Sequence, residues 1–146
     1  MKLIFKKYQN KVKDSEMFGK WYGRVVINES VSIEDIALKM QDNCTVKRAD
    51  ILAVLSELGP TMRDLLQDSK RVTIPYLGSF KLSISTGGAN SAKEFNIKEQ
   101  LKRIKVIFQP ETKTTPDGRR VKELTDNCRL AEAGKYDVPE DESQNP

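Results

Sequence analysis

From Arg71 to Pro110 the chain reads as two alternating strands separated by a long polar tip, a pattern that restricts the fold more than any other feature of its 146 residues. Phe80, Leu82 and Ile84 alternate with polar residues, and Ile104, Val106 and Phe108 largely do so. That is the period of a half-buried strand. Paired in register, these six share one face, while Lys81, Arg103 and Lys105 occupy the other. Pro75 makes the preceding segment an edge strand or ends it, and Gly78 supplies a sharp turn. The polar, Gly-rich tip over residues 86–97 predicts a mobile arm end rather than regular strand. Gly87-Gly88 lacks the following Gly-Lys-Ser/Thr of a phosphate loop and reads as a turn. A two-stranded ribbon with one basic face is a shape that can lie along a nucleic-acid groove.

Two amphipathic helices precede the ribbon. Ser32 is placed as an N-cap with Asp35 in the capping-box position, and Ile33, Ile36, Ala37 and Met40 mark an apolar face that ends at Asp42-Asn43. Thr45 is the expected cap of the second helix. There Ala49, Leu52, Ala53, Leu55, Leu58, Met62, Leu65 and Leu66 form an apolar face too broad for one thin hairpin to cover. That breadth points to burial against a second protomer. Gly59-Pro60 predicts a kink in this helix, since proline removes a backbone donor and crowds the preceding turn.

At the N-terminus, Leu3–Tyr8 and Trp21–Ile27 read as a strand pair around the polar loop Lys13–Gly19. Trp21 is read as a packing residue of this hairpin, with base stacking as the other reading. After Pro110, Thr115-Pro116 predicts the start of a short helix, with Val121, Leu124 and Cys128 as its apolar stripe. From Ala131 the chain reads as an acidic, disordered tail. The expected division is therefore an N-terminal β-hairpin extension at 1–30, a central domain at 31–126 and a tail at 127–146.

The net charge of +4 hides a segregation. Residues 1–30 carry +4 and residues 71–110 carry +5, whereas residues 31–70 carry −2 and residues 111–146 carry −3. Positive charge therefore sits on the expected β regions, which favours a polyanionic partner. The chain has no histidine, and so lacks the commonest general base and the commonest metal ligand. The carboxylate pair Glu34/Asp35 sits at a helix start, where the macrodipole accounts for it. No enzyme activity, cofactor, metal or small-molecule substrate is expected. Cys44 and Cys128 have no metal-ligand spacing; they read as free thiols of a reducing cytoplasm, a single disulfide being the alternative. No signal peptide is legible, and the longest apolar run, Ile51–Leu55, is far short of a membrane span.

The order of these elements, with Val72…Gly78-Ser-Phe80…Val106-Ile-Phe-Gln-Pro110, resembles the HU/IHF family of dimeric bacterial DNA-bending proteins. It is most similar to the HU-related branch of the Bacteroidetes, in which an extra N-terminal segment ends like Lys20-Trp-Tyr-Gly-Arg-Val-Val26 and the arm carries a sequence like Glu94-Phe-Asn96. The resemblance covers residues 1–126. It implies an α+β fold in which two N-terminal helices pack under a β-sheet with a protruding β-hairpin arm, here preceded by an extra hairpin. It also implies a homodimer that binds double-stranded DNA at the nucleoid, with little dependence on sequence. The phosphate-binding candidates are Lys81, Lys93, Lys98, Lys102, Arg103 and Lys105 on the arm, with Lys113, Arg119 and Arg120 behind it. A protein-interaction or structural module that keeps the fold without strong DNA binding is the alternative. Three positions depart from the family pattern: Tyr76 stands where Gly is common, Gln109 replaces the usual Lys, and Glu111 replaces a Gly. The arm tip also lacks the Arg-Asn-Pro whose proline wedges between base pairs.

Overall fold

A computed structural model describes residues 1–136 of the chain. It divides into two compact units, one of Met1–Ser30 with the chain from Asn127 onward, the other of Val31–Asp126. Helices and small sheets are mixed, giving an α+β fold. No helix among the described residues is long and apolar enough to cross a membrane.

The larger unit begins with α1 (Ile33–Gln41), whose Ser32 and Asp35 form the expected capping box. The Ser32 hydroxyl and then its backbone N–H hold the Asp35 carboxyl below its ordinary pKa. Helix α2 (Arg48–Gln67) packs against α1 and runs continuously across Pro60. Its cap is not Thr45. Lys47 takes that position without a side-chain cap bond, and the first-turn N–H of Arg48 is satisfied instead by Gln41 Oε1 at 2.7 Å. A side chain from the end of α1 thus does the work expected of a local hydroxyl.

Three strands follow in the order β3 (Val72–Ile74), β4 (Gly78–Thr86), β5 (Leu101–Pro110), all antiparallel. Strand β3 is an edge that ends before Pro75. The reversal between β3 and β4 is a β-turn closed by the Leu77 N–H on the Ile74 carbonyl at 3.2 Å. Pro75 sits at its first central position and Tyr76 at its second, with φ +68°, where a turn of this kind ordinarily places glycine. The Tyr76 N–H donates to the Glu111 carboxylate, so two of the three departures from the family pattern are in contact. Gly78 has a different duty from the expected turn. It lies opposite Pro110, and a Cβ there would collide with the Gln109 carbonyl oxygen.

Beyond Pro110 the chain forms no helix of the expected kind. Strands β6 (Thr112–Thr114) and β7 (Arg120–Lys122) pair antiparallel, and a single 3₁₀ turn covers Glu123–Thr125. Pro116-Asp117-Gly118 is a turn tripeptide. Gly118 adopts φ +83°, and the Thr115 hydroxyl bonds the Arg119 carbonyl at 3.0 Å instead of capping a helix.

In the smaller unit, β1 (Leu3–Gln9) pairs antiparallel with β2 (Trp21–Val25). It also pairs in parallel with β8 (Leu130–Glu132). The expected tail is therefore in part a strand, because Leu130, Ala131 and Glu132 satisfy the backbone of Leu3–Phe5, which the hairpin alone leaves open. The acidic run from Asp137 lies outside the described residues. Cys44 and Cys128 are both exposed, and neither is in a disulfide.

These backbone demands make a direct prediction for chemical denaturation. Gly78→Ala is expected to lower stability by about 3 kcal/mol or more, through the clash with the β5 backbone. Tyr76→Gly relieves a left-handed conformation and is expected to raise stability by roughly 0.5–1 kcal/mol, after the added freedom of the unfolded chain is deducted.

Candidate functional site

The β4–β5 ribbon has two chemically distinct faces, and its register sets both. Phe80 lies opposite Phe108, Leu82 opposite Val106 and Ile84 opposite Ile104. The two phenylalanine rings meet with centroids 4.9 Å apart. On the other face Ser83 lies opposite Lys105, Ser85 opposite Arg103 and Lys81 opposite Ile107. Each cation therefore faces a small or apolar residue, which avoids the cross-strand repulsion of directly opposed like charges. Lys81, Arg103 and Lys105 share this face, as the alternation predicts. None of the three has an ion-pair partner among the described residues.

Helix α2 packs on β3 and β4. On β5, Ile104 and Val106 remain 63% and 65% exposed and Phe108 43%. Among the described apolar side chains only Ala37, Ile51 and Leu66 are buried.

The other candidate cations fall into different settings. A bulge between Ser85 and Thr86 leaves Lys102 as the extra residue of β5, between Leu101 and Arg103 in the ladder, so it does not join the basic face as a regular strand position. Lys93 and Lys98 belong to the arm tip, where Gly87–Asn96 is irregular and a short helix, α3 (Ile97–Gln100), precedes β5. The Asn96 side chain caps that helix by accepting the Lys98 N–H at 3.0 Å. Arg120 lies in β7 opposite Thr114.

Lys113 and Arg119 are engaged within the protein. The Lys113 ammonium bonds Asp126 at 2.8 Å and Glu123 at 3.1 Å, and these two carboxylates, Asp126 first, raise its pKa above the ordinary lysine value. Arg119 bonds Asp117 within the β6–β7 turn. The Thr115 hydroxyl and then Arg119 hold the Asp117 carboxyl below its usual pKa. These two cations brace the β6–β7 hairpin and have less charge to offer a partner. Arg71, which is not among the candidates read from the sequence, lines a cleft of about 610 Å³ beside Lys81, Ile84 and Ile104. Its position immediately before β3 was the available signal.

A family model described as "HU domain fused to wHTH, Ig, or Glycine-rich motif" matches residues 1–124. The chain belongs to this family. No curated protein and no solved structure matches it.

Proposed function

We propose that this HU-domain protein is a dimeric, histone-like DNA-binding protein of the bacterial nucleoid that grips the phosphate backbone with little regard to sequence and catalyses no reaction. The observation that carries this reading is the unpaired cationic face formed by Lys81, Arg103 and Lys105 on one side of a two-stranded ribbon. Side chains of this kind displace condensed counterions from phosphates, a source of affinity that does not depend on base identity. Lys93, Lys98, Lys102 and Arg120 extend the positive field along the arm and behind it. The resemblance to relatives with an N-terminal extension is supported by the ordered strands that precede the helices.

The opposite face of the same ribbon supports a dimer. Ile104, Val106 and Phe108 need an apolar cover that α2 does not supply, and a second copy of the chain provides it in the same way to both partners. The dimer would then present two arms to one duplex.

Salt dependence and DNA curvature are both measurable consequences. If about six to ten phosphates are contacted per dimer, log affinity for duplex DNA should fall against log salt with a slope of about −5 to −9. The combined substitution Lys81→Ala, Arg103→Ala, Lys105→Ala should weaken binding to every sequence and flatten that slope by about 0.9 for each phosphate no longer neutralised. An unchanged slope removes this face from the interface and favours a protein-interaction module.

Curvature depends on the arm tip. Gly87–Ala92 contains neither a proline nor a large apolar side chain, so the tip has no wedge with which to unstack a base step. Phe95, 41% exposed, is the bulky residue nearby. Bound DNA should bend smoothly through phosphate neutralisation and its own flexibility. Energy transfer between dyes at the ends of a short duplex should show less shortening than a proline-tipped HU produces, and equal shortening would contradict this account.

A further inference from the structure

The smaller unit carries a second cationic surface that duplex binding by the arm leaves unused. In the β1–β2 ladder Lys6 lies directly opposite Arg24, and Tyr8 opposite Tyr22. Two cations paired across strands repel each other and weaken the sheet, and no acidic side chain of the described strands lies on their own face to neutralise them. The one described acid of this sheet, Glu132, is paired with Phe5 in the ladder and so lies on the other face. It is already held there by Lys7 at 3.3 Å and by the Tyr136 hydroxyl. These two contacts, the Tyr136 hydroxyl first, lower its pKa below the ordinary value.

Aromatic rings accompany the cations. The Tyr8 and Tyr22 centroids are 5.9 Å apart, and the Arg24 guanidinium lies 5.4 Å from the centre of the Tyr8 ring. Lys6, Lys11, Arg24 and Lys135 line one cleft of about 600 Å³ together with Tyr8 and Trp21, and the cleft also reaches Lys7, Gln9 and Tyr136. None of the four cations has an ion-pair partner among the described residues. Trp21 lies opposite Gln9, on the other face of the hairpin from Tyr8, but both line the cleft, and they are 43% and 39% exposed.

We propose that this cleft binds single-stranded nucleic acid, with phosphates on Lys6, Lys11, Arg24 and Lys135 and unpaired bases against Trp21 and Tyr8. A duplex offers its phosphates but keeps its base faces stacked, so it cannot use the open rings. An unpaired strand engages both features at once, and base–aromatic stacking is tolerant of sequence. The proposal goes beyond the duplex reading and does not depend on it, because it uses residues of a different unit.

Trp21 is the single tryptophan of the chain, which gives the full-length protein a local reporter. Oligothymidine should quench its fluorescence in a saturable titration. Lys6→Gln with Arg24→Gln should weaken that response about tenfold or more while leaving duplex affinity in place. Lys11→Ala with Lys135→Ala, at loop positions outside the strands, should weaken it in the same sense and serves if the first pair disturbs the hairpin. Arg103→Ala with Lys105→Ala should impair duplex binding but keep the oligothymidine response, so failure of one reading is distinguished from failure of the other. Inorganic polyphosphate should compete for the site without reproducing the quenching. No change in Trp21 fluorescence on adding oligothymidine, or equal affinity in both charge variants, overturns the proposal.

Discussion

The antiparallel pairing of β4 with β5 is the constraint on which the rest of the larger unit depends. Because strand side chains alternate with a period of two, a single register fixes both faces at once, and a slip of one residue would exchange them. Gly78 secures that register at one end, since only a residue without a Cβ lets β4 approach the Gln109–Glu111 backbone. The bulge at Ser85/Thr86 marks its other end, where the ladder gives way to the tip. Between these points the ribbon carries Phe80, Leu82, Ile84, Ile104, Val106 and Phe108 on one side and Lys81, Arg103 and Lys105 on the other.

The two faces make opposite demands. The apolar side needs cover; α2 packs near β3 and β4, while Ile104, Val106 and Phe108 of β5 stay open. Completing the burial of side chains such as Ile104, Val106 and Phe108 contributes roughly 1 kcal/mol each, judged from transfer of half a side chain out of water. That gain is large beside the net stability of a domain this size. The basic side has the contrary requirement. Its cations have no ion-pair partner among the described residues, and each lies opposite a serine or an isoleucine rather than another charge. Lys113 shows the difference: two carboxylates already neutralise it, and it acts as a brace.

Much of this was legible from residue spacing, and the exceptions share a cause. The alternation at 80–84 and 104–108 identifies the ribbon and its faces, and Ser32 with Asp35 identifies the start of α1, because both signals are local. Thr115-Pro116 carries two local signals, a helix cap and the Pro-Asp-Gly turn, and the turn prevails because β6 and β7 can pair on either side of it. The engagement of Lys113 depends on Glu123 and Asp126 across that hairpin. Lys102 drops out of the ladder through a bulge that alternation cannot reveal. Strand β8 is the clearest case. Leu130–Glu132 is too short to show a period, and its pairing with Leu3–Phe5 joins opposite ends of the chain. The left-handed Tyr76 is similar, since only the turn closed on Ile74 and the acceptor on Glu111 explain a tyrosine in a glycine position.

In the proposed dimer the open apolar face of β5 is covered by a second copy of the chain, so that folding and association are one event. Sedimentation velocity combined with denaturant unfolding at several protein concentrations tests it most directly. The account predicts a dimer at micromolar concentration and an unfolding midpoint that rises with concentration, as mass action requires when partners fold together. A folded monomer whose midpoint is independent of concentration would contradict it.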